Sequence, residues 1–126
     1  MKRVKLFALI SLLFIGLGHA WGENVTFTPG TDNTATAKSG VTISMSNTTG
    51  DNGYYQAYAS SSMIVTSTAG NITAITFTCT ASGANKYGPG NFSTQEGEYS
   101  YNGTTGFWSG CADKVSLSAS GQVRMY

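Results

Sequence analysis

The sequence predicts an all-β domain, an antiparallel β-sandwich of jelly-roll-like form with about eight strands. Three observations carry that reading. Short β-branched and aromatic runs recur along the chain, clusters of Gly, Asn, Asp, Ser and Pro separate them, and no useful length beyond Trp21 keeps a helical period. With 126 residues, 40% of them hydrophobic and 10% charged, the chain suits one globular domain. It suits neither a disordered tail nor a heptad repeat.

Residues 1–20 stand apart as an export signal. Lys2, Arg3 and Lys5 form a positive start, Leu6 to Leu17 an apolar stretch, and Gly18-His19-Ala20 a small-residue cleavage site. That apolar stretch is shorter than the roughly 20 residues a membrane-spanning helix needs. The expectation is therefore a cleaved signal, with cleavage after Gly22 as a variant. A single domain over residues 21–126 would then be secreted, periplasmic or on the cell surface, with no membrane span.

The strands follow in order. Val25-Thr26-Phe27-Thr28 is stopped by Pro29-Gly30, and Val41 to Ser46 follows a polar stretch. Thr49-Gly50-Asp51-Asn52-Gly53 is turn chemistry, since Asn and Gly tolerate positive φ. Tyr54 to Ser60 and Met63 to Thr68 are separated only by serines, and Ile72 to Thr80 is the strongest strand signal. After a loop containing Gly88-Pro89-Gly90 come Phe92 to Thr94, Glu98 to Tyr101, Gly106 to Ser109, Val115 to Ser120 and Gln122 to Tyr126. Successive strand residues point to opposite faces. Parity thus sends Val41, Ile43, Met45, Ile75, Phe77, Cys79, Val115, Leu117, Ala119, Val123 and Met125 into the core, leaving Ser and Thr outside.

Charge and histidine content narrow the chemistry. Beyond the signal, four basic side chains (Lys38, Lys86, Lys114, Arg124) face six acidic ones, a net charge of −2. Four scattered cations make no phosphate-binding patch, so no nucleic-acid partner is expected. The one histidine, His19, belongs to the signal, which removes the imidazole base of Ser-His-Asp and Cys-His mechanisms. Glu96 and Glu98 would share a face, but nothing around Gly97 suggests a pocket to raise one carboxyl for glycoside hydrolysis. Asp32, Asp51 and Asp113 read as turn residues without the spacing of a calcium loop. No enzyme activity, cofactor or metal is expected. Five Asn-x-Ser/Thr acceptors, at Asn24, Asn47, Asn71, Asn91 and Asn102, are read as incidental.

Cys79 and Cys111 are the remaining chemistry. Cys111 shares the parity of Val115 if residues 110–114 are extended, so both thiols could face inward and pair in an exported chain. Such a link would contribute roughly 3–4 kcal/mol on the loop-entropy argument. The alternative is two buried thiols that never meet.

The aromatics are the functional lead. Tyr54 and Tyr58 share one strand face opposite Tyr55, and Phe107 and Trp108 split likewise, so some rings should be exposed. A flat ring beside amide groups is a sugar platform, and Tyr54, Tyr58 and Trp108 are the candidate ligand-binding residues. The alternative is that these rings fill and cap the core.

From Val41 onward the chain also resembles a known module. Tyr54-Tyr55-Gln56-Ala57-Tyr58, Gly70-Asn71-Ile72-Thr73-Ala74-Ile75-Thr76-Phe77-Thr78-Cys79-Thr80, Gly106-Phe107-Trp108-Ser109-Gly110 and Ser120-Gly121-Gln122-Val123-Arg124-Met125 are its marks. Together they resemble a small β-sandwich module that recurs in secreted and surface proteins of Bacteroidetes-type gut bacteria. The resemblance implies export and a jelly-roll-like sandwich, and brings no catalytic residues. Its members continue past the Gln-Val-Arg segment, so an exposed final sheet edge is a further expectation. The functional expectation is a secreted, non-catalytic binding or adhesion module whose partner is a polysaccharide or a cell-surface protein. The alternative is a structural, self-assembling surface component that pairs through an open sheet edge.

Overall fold

The computed structural model describes residues 5–8, 11–16 and 22–126, with side-chain surroundings from Asn24 onward. Its strands are β1 (Lys5–Ala8), β2 (Ser11–Gly16), β3 (Gly22–Phe27), β4 (Val41–Ser44), β5 (Tyr55–Ala57), β6 (Ser62–Ser67), β7 (Asn71–Thr78), β8 (Phe92–Ser93), β9 (Glu98–Asn102), β10 (Thr105–Ala112), β11 (Lys114–Ala119) and β12 (Val123–Met125). A single 3₁₀ turn, Pro89–Asn91, interrupts them, and no α-helix occurs among the described residues. The all-β sandwich expected from the sequence is the observed fold. Ten strands lie from Gly22 onward, against about eight expected.

One sheet has the order β1-β3-β2-β7-β10-β9, the second β4-β6-β11-β8, and β12 pairs with β5. Two strands, β1 and β2, fall within the expected export signal. The expected cleavage point lies outside the described residues. The chain passes between the two larger sheets at Asp113, where β10 ends and β11 begins.

Alternation decides what each strand buries. Ile75 and Phe77 from β7, Val41 and Ile43 from β4, Val65 from β6, and Val115 and Leu117 from β11 are all at most 1% exposed. They belong to one continuous core that also holds Met45, Cys79, Ala119, Val123 and Met125. All the apolar residues that parity directed inward are buried, and Cys111, read as inward on the same ground, is exposed. Each large side chain so removed from water stabilises the fold by about 1.5–3 kcal/mol. The sheets meet through aromatic rings: Phe77 of β7 stands edge-on to Phe92 of β8 at 5.6 Å and lies parallel to Tyr99 of β9 at 6.2 Å.

The Gly-x-Trp-x-Gly segment has a packing explanation. Trp108 on β10 is fully buried, and its indole N–H donates to the Glu96 carbonyl at 2.8 Å. A side chain at Gly110 would lie 2.7 Å from the indole ring, and one at Gly106 would overlap the Phe77 ring and lie 2.6 Å from the Tyr99 hydroxyl. The two glycines are the space these rings occupy.

The final strand is not an open edge. Val123 and Met125 pair with Ala57 and Tyr55 of β5. On the opposite flank the Thr80 amide donates to the Arg124 carbonyl, the Arg124 amide to the Tyr87 carbonyl, and the Tyr126 amide to the Thr78 carbonyl. The chain running on past β7 covers the flank that was expected to stay free. Among the described residues, β9 forms the outer border of the larger sheet at the end away from β1.

Strand propensity and packing give opposite signs for Gly106→Ala. Propensity alone favours Ala by about 0.5–1 kcal/mol, whereas overlap with Phe77 and Tyr99 costs about 1–3 kcal/mol. Chemical denaturation should show net destabilisation, while the exposed Ser118→Ala change stays within about 0.5 kcal/mol. A more stable Gly106→Ala protein would refute the packing account.

Candidate functional site

The most organised polar cluster lies on the outer face of the β5–β12 ribbon. Gln56 and Arg124 are cross-strand partners, so their side chains share a face, opposite the buried Tyr55, Ala57, Val123 and Met125. Tyr54 enters from just before β5, and Tyr87 from the loop before the 3₁₀ turn. The Arg124 guanidinium carbon sits 4.0 Å from the centre of the Tyr54 ring and 3.7 Å from that of Tyr87. These are cation–π distances, and the charge is held by two rings.

Amides complete the setting. Arg124 Nε donates to Gln56 Oε1 at 3.3 Å, and Gln56 Nε2 donates to Gln122 Oε1. Gln56 is 6% exposed, while Tyr54, Tyr87, Gln122 and Arg124 are half-buried. Lys86 places its ammonium 5.1 Å from the centre of the Tyr87 ring. Two cations therefore converge on one tyrosine.

The loop that supplies Tyr87 is tied down by Asn91. Its Nδ2 donates to the carbonyls of Asn85, Gly88 and Gln122 at 2.8–3.2 Å. Tyr87 itself adopts φ +77°, an uncommon and costly conformation for a residue with a side chain. Two backbone bonds hold it there, from the Tyr87 amide to the Gln122 carbonyl and from the Arg124 amide to the Tyr87 carbonyl.

Of the ring residues singled out from sequence, only Tyr54 joins this cluster. Tyr58 is 53% exposed but lies one residue beyond β5, about 13 Å from Tyr54 at strand spacing. Its amide donates to Ser46 Oγ at 3.0 Å. Trp108 is 0% exposed, so its ring is interior packing and presents no surface to a ligand. Sequence reasoning missed Arg124, Gln56, Gln122 and Tyr87 as site residues. The alternation that buried Val123 and Met125 already placed Gln122 and Arg124 on the opposite face.

The expected disulfide is absent: Cys79 is buried and Cys111 exposed, and both are free thiols. Register explains it. Ala112 sits opposite Ile72 at one end of β7, whereas Cys79 follows the other end, a separation of about 20 Å at strand spacing. A disulfide needs Cα atoms about 4.4–6.8 Å apart. A register shift between Ser109 and Ala112 also breaks the parity on which the inward reading of Cys111 relied.

The acidic residues are dispersed. Glu96 and Glu98 are both exposed, and no group of three metal-binding side chains occurs among the described residues. Asp32 accepts from Lys38 Nζ at 2.9 Å and from the Thr28 amide at 2.8 Å. Burial works to raise its carboxyl, but those two bonds and the Lys38 charge together hold it below its ordinary value.

Two open grooves also lie on the surface of the described residues. One of about 460 Å³ is bordered by Thr94, Gly97, Tyr99 and Tyr101, and another of about 530 Å³ by Thr66, Asn71, Asp113 and Lys114. In the first, the Tyr99 hydroxyl already donates to the Pro89 carbonyl at 2.6 Å and the Thr94 hydroxyl to the Glu96 carbonyl at 2.9 Å. Those two hydroxyls are spent on backbone carbonyls.

No family model, curated protein or solved structure matches this chain.

Two measurements follow from this geometry. Burial pushes the Cys79 thiol up to about 12, so alkylation of the native protein at pH 8 should modify Cys111 alone, with Cys79 reacting only after denaturation. Peptide mass analysis showing native modification of Cys79 would refute its burial. Because folding lowers the Asp32 value, the stability it contributes is present above about pH 3.9, the ordinary Asp value, and fades as pH falls through the lower folded value. Between pH 5 and pH 2, Asp32→Asn should therefore lose less stability than the parent.

Proposed function

We propose that this chain is a non-catalytic binding module of an exported protein, with glycans as its ligands and the outer face of the β5–β12 ribbon as its binding face. One observation carries the reading. Tyr54 and Tyr87 hold Arg124 beside Gln56 and Gln122, so ring surface, amides and a guanidinium meet on one partly exposed face. Sugars are bound by that combination, in which apolar contact and directional hydrogen bonds act together. The anchoring of Tyr87 supports the same reading, because a pre-formed site loses less conformational entropy on binding. The export-signal pattern of residues 1–20 and the lack of any histidine beyond it point to recognition rather than acid–base chemistry. Trp108 has no part in the proposal, and Tyr58 lies outside the cluster.

Affinity electrophoresis through gels containing a panel of neutral and acidic polysaccharides tests the proposal. At least one polysaccharide should retard the protein, and Tyr54→Ala should reduce that retardation at least about tenfold in apparent affinity. Migration unaffected by every polysaccharide would refute it.

A further inference from the structure

Resting on the glycan-binding reading, we infer that the ribbon face selects acidic glycans, with the Arg124 guanidinium as the receptor for a uronate carboxylate. The first reason is the state of the guanidinium. Its Nε donates to Gln56, and no carboxylate lies within ion-pair distance of it among the described residues, where the one ion pair is Lys38–Asp32. Its terminal nitrogens form the end of a planar fork that matches the two oxygens of a carboxylate.

The second reason is charge placement. Residues 21–126 carry a net negative charge and four cations, yet two of those cations gather at Tyr87, Arg124 at 3.7 Å and Lys86 at 5.1 Å from its ring centre. Lys38 is committed to Asp32. A neutral sugar gains only hydrogen bonds from these groups, whereas a carboxylate is in addition attracted to both charges.

The third reason is rigidity. Rings fix the guanidinium on two sides and Gln56 holds Nε, so little side-chain freedom remains to be lost on binding.

Affinity electrophoresis of the full chain tests the inference with polygalacturonate, its methyl-esterified counterpart, a neutral galactan, a sulfated polysaccharide and poly-glutamate. Polygalacturonate should retard the protein most, and esterification, which masks the carboxylates on the same backbone, should weaken binding at least about tenfold. Arg124→Gln should weaken polygalacturonate binding by about tenfold or more, with its melting temperature recorded alongside. The exposed Lys86→Gln change gives a variant whose folding is not at issue and should weaken binding a few-fold, the difference vanishing at high salt.

Equal retardation by the free and esterified polymers would overturn the carboxylate receptor while leaving the glycan-binding reading intact. Preference for the sulfated polymer over polygalacturonate would overturn it in favour of sulfate recognition. Binding to poly-glutamate as tight as to polygalacturonate would overturn the sugar requirement, and no retardation by any polysaccharide would remove both readings.

Discussion

The strand Val123–Met125 is held on both flanks, and much of this end of the molecule depends on that. Its two outer residues pair with the Tyr55–Ala57 strand, while Arg124 bonds through its backbone to Thr80 and Tyr87. Because side chains alternate, one three-residue strand places Val123 and Met125 in the core and Arg124 on the surface. The core contacts fix the position of the strand, and the strand fixes the guanidinium.

A second constraint works through the aromatic interior. Trp108, Phe77, Phe92 and Tyr99 join the two larger sheets, and Gly106 and Gly110 leave the room they need. Burial, helped by neighbouring ionisable groups, pushes the Tyr99 phenol well above its ordinary value, which matches a hydroxyl spent on the Pro89 carbonyl. That bond ties the rim of the core to the 3₁₀ turn. Asn91 then ties the same turn to Gln122, so the interior and the surface cluster share one short piece of chain. Strain at Tyr87 persists because this surrounding network over-determines it.

The polar face differs in kind from the rest of the surface. Thr94 and Asn47, by contrast, close on nearby backbone. Around Arg124, side chains from three separated stretches of sequence meet, and of the guanidinium nitrogens only Nε donates a hydrogen bond to a side chain among the described residues. Internal satisfaction stabilises a fold, whereas outward capacity is what a ligand can use.

From Val25 onward the sequence by itself determined the strands and, Cys111 apart, their inward faces. Period-two alternation is a local property, legible wherever apolar residues recur every second position, as in Ile75-Thr76-Phe77-Thr78-Cys79. The same alternation could mark Gln122 and Arg124 as outward, but not what stands beside them. Only the tertiary structure decided that Tyr54 and Tyr87 flank Arg124, that Trp108 lies inside, and that the two cysteines sit at opposite ends of a strand. Those outcomes depend on register, on a shift between Ser109 and Ala112, and on the path of a loop. Contacts between residues far apart in the chain set all three, and no local pattern encodes them.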